Sequence, residues 1–270
     1  MPSEVYITRA APHYWEEPPI SGTNGSGTIF FAGCSLGCIF CQNKDISRSI
    51  SGKAVGIDKM VDVMLSLQNK GVHNINLVTP THYAPSIKYA VEQAKEKGLN
   101  IPIVYNTGTF DSVETIKSLK GIVNIYLPDL KYYRNQTSIK YSRAEKYVYQ
   151  AREAIEEMYN QVGKPIFDGS GIMLSGVIVR ILLLPGHLAE AKLSLKYLVD
   201  TYGDNIYVSL MNQYTPMPDM PSPLNRRVTY SEYNELVEYA EKLGLKNGFF
   251  QDFGTAEESY IPSFDLTGVI

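Results

Sequence analysis

The chain has 270 residues, 44% hydrophobic and 20% charged, with a formal charge of -3 and a pI near 5.9. That balance excludes disordered and fibrous classes and leaves no basic excess for generic nucleic-acid binding. No run approaches the roughly 20 consecutive apolar residues of a membrane helix, and residues 1–11 carry neither a basic segment nor an apolar one, so a cytoplasmic protein is expected.

From residue 27 onward, short β-rich apolar runs alternate with stretches of helical period, the pattern of βαβ units around a parallel sheet. Residues 1–26 precede this array and are expected to form an N-terminal extension packed on a core of residues 27–270, which ends in a C-terminal tail. Six runs read as strands covered on both faces: Thr28 to Gly33, Asn74 to Thr79, Ile101 to Asn106, Ile122 to Leu127, Val177 to Leu184 and Asn205 to Leu210. Helices are expected from Asp58 to Asn69, Pro85 to Lys97 and Asp111 to Lys120, ended by Gly71, Gly98 and Gly121.

Apolar residues recurring at three and four predict one long helix from Thr137 to Val162, and two more follow at Leu188 to Tyr202 and Ser231 to Leu243. The Pro-rich stretch Thr215 to Pro223 is long for a connector and suits a lid. One α/β domain is expected, an open doubly wound sheet or a partly closed barrel, with its chemistry at the C-terminal strand ends. Gly22 to Gly27 is glycine-rich but precedes a strand and lacks the Gly-Lys-Thr ending, so it reads as a turn and not as a phosphate loop. Twenty scattered tyrosines read as packing residues with a polar tip.

All three cysteines fall in the run Gly33-Cys34-Ser35-Leu36-Gly37-Cys38-Ile39-Phe40-Cys41, spaced C-x3-C-x2-C directly after the first of these strands. An odd, tight set builds no disulfide framework, so metal ligation is the leading reading and a group of buried small hydrophobes the bland one. A closed zinc site wants four N or S ligands, and His13, His73, His82 and His187 are all distant in sequence. A four-iron four-sulfur cube takes four cysteines, so three leave one iron open to an outside ligand. Gly33 and Gly37 suit a short loop wrapped around a bulky group.

This loop, with Phe40 just before the last cysteine, resembles the radical S-adenosylmethionine (SAM) superfamily. Pro12-His13-Tyr14-Trp15-Glu16-Glu17-Pro18-Pro19-Ile20-Ser21-Gly22, Gly25 to Phe31 and Cys41-Gln42-Asn43 are more narrowly similar to its pyruvate formate-lyase activating enzyme-related branch. So are Val78 to Tyr83, Tyr126 to Tyr132 and Val208 to Tyr214, so the resemblance covers nearly the whole chain. It implies a partial (β/α)6 barrel of TIM type with parallel strands, and one four-iron four-sulfur cluster on Cys34, Cys38 and Cys41. It further implies that SAM binds the cluster through its methionine amino and carboxylate groups and is cleaved reductively to a 5'-deoxyadenosyl radical.

The implied activity is that of an oxidoreductase abstracting hydrogen, in this branch from a glycine of a partner glycyl-radical enzyme. Two alternatives stay open: a radical SAM enzyme acting on a small molecule or peptide, and a non-catalytic iron-sulfur or zinc protein. No cysteine lies outside the motif for a second cluster, so the electron is expected from an external flavodoxin or ferredoxin. Relatives of the branch often carry a further region ahead of the Pro-His-Tyr-Trp-Glu-Glu segment, whereas this chain begins almost at it.

The resemblance places Phe40 near the adenine. Where relatives carry Gly-Gly-Glu against the methionine ammonium, this chain has Thr79-Pro80-Thr81-His82, and proline offers no N–H, so Thr81 is the candidate acceptor. His82 reads equally well as a structural hydrogen-bonder. Asn106 and Thr107 end the third strand, and Asp129 and Lys131 share a face at the end of the fourth. In relatives that region contacts the ribose, the methionine carboxylate and a monovalent cation, which gives Asp129 the ribose or cation role and Lys131 the carboxylate role. A plain salt bridge is the alternative. Arg180 stands inside an apolar run and must find acceptors, either a cofactor carboxylate or a structural acid. Ser209, Met211 and Gln213 share a face of the last strand and would line the floor under the adenosyl group.

Overall fold

The computed structural model describes residues 4–49, 51–253 and 262–270. β1 (Val5–His13) leads through a four-residue helix, α1 (Pro18–Ser21), into β2 (Ser26–Phe31), and the cysteine loop then passes to α2 (Lys44–Ser47) and β3 (Lys53–Val55). Regular units follow: α3 (Ile57–Asn69), β4 (Ile75–Val78), α4 (Ala84–Glu96), β5 (Ile103–Thr107), α5 (Val113–Ser118) and β6 (Ile125–Pro128). Next come α6 (Asn135–Ser142), α7 (Tyr147–Val162), β7 (Ile166–Phe167), β8 (Met173–Leu182), α8 (Leu188–Tyr202), β9 (Tyr207–Met211), α9 (Tyr230–Lys242) and β10 (Gly248–Phe250).

Across the sheet the order is β10-β9-β8-β6-β5-β4-β2-β1-β3, with β7 hung antiparallel on β8. From β2 to β10 every neighbouring pair runs parallel, and β1 lies antiparallel to both β2 and β3. β3 and β10 stay unpaired with each other, so this α/β partial barrel is not closed. Among the described residues no helix is long and apolar enough to cross a membrane.

All six expected strands are present, and β10 adds a short seventh parallel one. The N-terminal residues enter the sheet itself: β1 pairs with β2 from Ile7 to His13. The expected helix Thr137 to Val162 is two helices. Arg143 takes a left-handed φ of 54° at the end of α6, and the Ser138 hydroxyl reaches the Ala144 carbonyl at 2.6 Å, which turns the chain before α7. The expected Asp111 to Lys120 helix shrinks to α5 because the Asp111 carboxylate accepts from the Tyr105 and Thr107 hydroxyls, and Ser112 supplies the cap. Gly71, Gly98 and Gly121 do follow their helices, with φ of 79°, 101° and 78°.

Strand alternation divides the interior into two regions. Side chains on the outer face meet α3 to α9 in the main core, which holds Leu77, Tyr105, Tyr126, Val179 and Leu210. On the inner face, Val104, Ile125, Leu127, Met173 and Ile178 pack on Ile20 of α1, which plugs the lower end of the barrel. One step of two residues further along, the inner face becomes polar with Asn106, Asp129, Arg180 and Ser209. The tyrosines behave as amphipathic packing. Tyr105, Tyr126, Tyr132, Tyr141, Tyr147 and Tyr214 are fully buried, yet each hydroxyl has a polar partner at 2.5–2.9 Å.

Candidate active site

The three cysteines open onto one end of a cavity of about 600 Å³ at the C-terminal ends of the parallel strands. The Cys38 Sγ accepts a hydrogen bond from the Ser142 hydroxyl at 3.0 Å, and the Cys34 Sγ one from the Leu36 N–H at 3.4 Å. The loop is fixed from outside by the Ile39 N–H donating to the Tyr141 carbonyl at 2.9 Å and by Arg48 donating to the Cys38 carbonyl at 3.1 Å. Gly37, with a φ of 64°, has open space where a Cβ would stand. Phe40 is buried behind the loop and meets the rings of Tyr132, Tyr141 and Tyr214 edge-on.

The polar inner layer is a charge network. Asp129 receives Arg180 Nε on Oδ1 at 2.6 Å and Lys131 Nζ on Oδ2 at 2.7 Å. Arg180 also donates to Glu16 Oε2 at 3.1 Å and to the Asn106 amide oxygen at 2.7 Å, and the amides of Asn76 and Asn106 both donate to Glu16 Oε1. Burial alone would raise the Asp129 carboxyl, but Arg180 and then Lys131 outweigh it and hold it below the usual carboxylate range. Burial likewise opposes the charge on Lys131, and Asp129 first, then Cys38, hold it firmly protonated. The salt bridge and the site are thus the same residues, because all of these groups line the cavity except Asn76.

Of the candidates read from sequence, Cys34, Cys38, Cys41, Phe40, Asn106, Thr107, Asp129, Lys131, Arg180, Ser209, Met211 and Gln213 all line this one cavity. Thr81 is not among its lining residues, since its hydroxyl lies 3.4 Å from that of Thr107 in the turn behind β4. Of the two threonines that follow β4, Thr79, at a φ of 58°, is the one that lines it. His82 is structural, with Nε2 2.7 Å from the Ala32 carbonyl. No residue of the 215–223 loop lines the cavity. Sequence reasoning passed over Glu16 and Glu17, which enter from the segment before α1, and over Gln251 and Asp252 after β10. The signal for the first two was two adjacent acids ahead of a Pro-Pro turn, in a segment read only for its resemblance.

The residues present fit a cluster better than a single ion. Among the described residues no three His, Cys, Asp or Glu side chains converge closely enough to hold one metal ion, which a closed zinc site requires. A cube bound at separate corners by three thiols has no such requirement. It is also served by the N–H and O–H donors to sulfur and by the space beside Gly37.

A partial parallel barrel with a three-thiol loop after its first parallel strand and a charged layer beneath defines a class of cofactor-dependent enzymes. The Radical SAM superfamily model matches residues 28–191, and the chain belongs to that superfamily, whose members use a four-iron four-sulfur cluster and SAM. The uncharacterized protein MJ0674 of Methanocaldococcus jannaschii is 30% identical over 233 residues, covering 82% of this chain and 63% of that protein. Streptococcus suis SuiB bound to SAM superposes with a TM-score of 0.54 at 14% identity, covering 82% of this chain and 48% of that one. HydG, a maturase of the [FeFe]-hydrogenase, superposes with a TM-score of 0.50 at 14% identity, covering 84% and 56%. At these identities the two structures share the fold, and the chain spans less than two thirds of the length of each of these three proteins.

Proposed function

We propose that the chain is a cytoplasmic, oxygen-sensitive radical SAM oxidoreductase, with Cys34, Cys38 and Cys41 as cluster ligands. The observation that carries this reading is that the three thiols and the Asn106, Asp129, Lys131, Arg180 layer face each other across one cavity. With a four-iron four-sulfur cluster and SAM bound, the pair supplies a 5'-deoxyadenosyl radical for hydrogen abstraction.

The chain's own residues bind, orient and exclude water. Lys131 is the cation placed to meet the methionine carboxylate, within reach of both the thiols and the layer. Thr79, not Thr81, offers the hydroxyl at the end of β4. Asn106 and Asp129 present acceptors and donors for the ribose, and Phe40 closes the apolar side beneath the adenine. Both Asp129 oxygens already face cations, so a monovalent cation is not part of the proposal.

The substrate we favour is a glycine-bearing loop of a glycyl-radical enzyme entering the open side of the barrel. The second reading, a peptide or small molecule, draws on the likeness to SuiB, one structure of which is bound to the precursor peptide SuiA (TM-score 0.52). The electron would come from flavodoxin or ferredoxin. Exposed Lys44, Arg48, Lys140, Arg143 and Lys146 lie on the two segments that grip the cysteine loop, against Asp45 and Glu145, and suit an acidic carrier.

Anaerobic reconstitution followed by dithionite and SAM tests the reading. Wild type should release 5'-deoxyadenosine, and Cys38→Ala should lose iron and that product together. No 5'-deoxyadenosine from iron-loaded protein would sink it.

A further inference from the structure

In the inner layer of the cavity the carboxylates Glu16, Glu17 and Asp129 meet two cations, Lys131 and Arg180, and a fourth carboxylate, Asp252, lines the cavity from the segment after β10. The hydrogen bonds pair them unevenly. Asp129 takes one bond from each cation, and Glu16 takes Arg180 and two amides. Glu17 is left over: it is only 8% exposed, it lines the cavity, and its Oε2 has no hydrogen-bond partner. Burial pushes its carboxyl up against the pull of Arg180, and Glu16 pushes the same way, while the Ser209 hydroxyl lies close by. Its position is not accidental to the backbone. Pro18 fixes the chain directly after it, the Gly22 N–H closes α1 on the Pro18 carbonyl, and Ile20 is locked into the barrel plug.

A buried acceptor without a donor costs stability unless something arrives to fill it. The inner layer is short of one positive charge, and Glu17 Oε2 within it is short of one hydrogen-bond donor. A primary ammonium group supplies both, and an anionic or purely apolar group supplies neither. On the resemblance above, the ammonium of SAM is occupied at the open iron. We therefore propose that Glu17, seconded by Ser209, anchors the substrate by a primary ammonium group. This draws the substrate toward the second reading above, a peptide or small molecule held through a peptide N-terminus, a lysine side chain or a small amine. The inference rests on the cavity being the reaction chamber.

The test uses cluster-reconstituted protein with saturating SAM and three probes of equal length: n-butylammonium, n-butanol and butyrate. Calorimetry should show n-butylammonium binding about tenfold or more tighter than n-butanol, with butyrate undetectable. Glu17→Gln should weaken n-butylammonium by about tenfold and leave n-butanol within about twofold. Should Glu17→Gln fail to load iron, Ser209→Ala takes its place, with an expected weakening of about two- to fivefold. Equal binding of ammonium and alcohol, indifference to both substitutions, or n-butylammonium binding that appears only when SAM is left out would each overturn the assignment. Calorimetry needs no turnover, so a failure to make 5'-deoxyadenosine would count against the radical reading and not against this one.

Discussion

Asp129 is the residue on which the inner layer depends, because each of its oxygens compensates a different half-buried cation. Removing one partner of such a set leaves charge stranded in a poorly solvated place. Asp129→Asn should therefore destabilise the apoprotein by about 3–5 kcal/mol in urea unfolding. A loss under about 1 kcal/mol would mean that water already screens Arg180 and Lys131. Sequence made part of this visible: an arginine in an apolar run and an Asp-x-Lys pair at a strand end both announce a need for partners. Glu16 was invisible by the same logic, since it meets Arg180 from 164 positions away. Thr81 was misplaced because the left-handed turn at Thr79 swings the chain, and no residue type signals that turn.

At the scale of elements, local signals fared best where the element was long and amphipathic. α8 spans the expected Leu188 to Tyr202, α3 begins one residue before expectation, and α4 and α9 are each shifted by one residue at both ends. β1 escaped because Arg9 and Pro12 interrupt its pattern, and β10 because three residues carry no period. The break between α6 and α7 escaped because Arg143 occupies a left-handed position that glycine usually holds, at a cost of about 1–2 kcal/mol. Arg143→Gly should therefore raise stability by about 1 kcal/mol, read as a higher Tm. It should also slow cluster reduction by an acidic flavodoxin at low salt while reduction by dithionite is unchanged.

α9 carries a full capping box, in which Glu232 also binds Arg226 and the Gly186 N–H and is drawn down to about 2. A depressed acid adds stability that is complete above its unfolded value, near 4.5, and is lost as pH falls toward 2. Glu232→Gln should flatten that acid limb in a pH series of Tm and cost about 1 kcal/mol at neutral pH.

Over the whole molecule, the charge of -3 conceals a division of labour. Basic side chains cluster on the segments around the cysteine loop, and uncompensated acid sits at the chamber floor. Composition showed only their sum. The fold class was legible because alternating βα runs admit few arrangements. An unclosed sheet was legible with it, whereas the strands that stand at its two edges, β3 and β10, were not, because runs of three residues carry no period.

β1 has a second neighbour: the Ala10 N–H donates to the Thr267 carbonyl at 2.8 Å, the Leu266 N–H to the Thr8 carbonyl at 3.0 Å, and Val269 is fully buried beside them. Gly268 turns there at a φ of 73°, where a Cβ would collide with the Ala10 carbonyl. Residues 262–270 thus clamp the strand whose continuation delivers Glu16 and Glu17, so one seam ties the far end of the sequence to the chamber floor. Gly268→Ala, where the added Cβ meets Ala10 and no cavity residue, should lower the Tm and also blunt the ammonium selectivity.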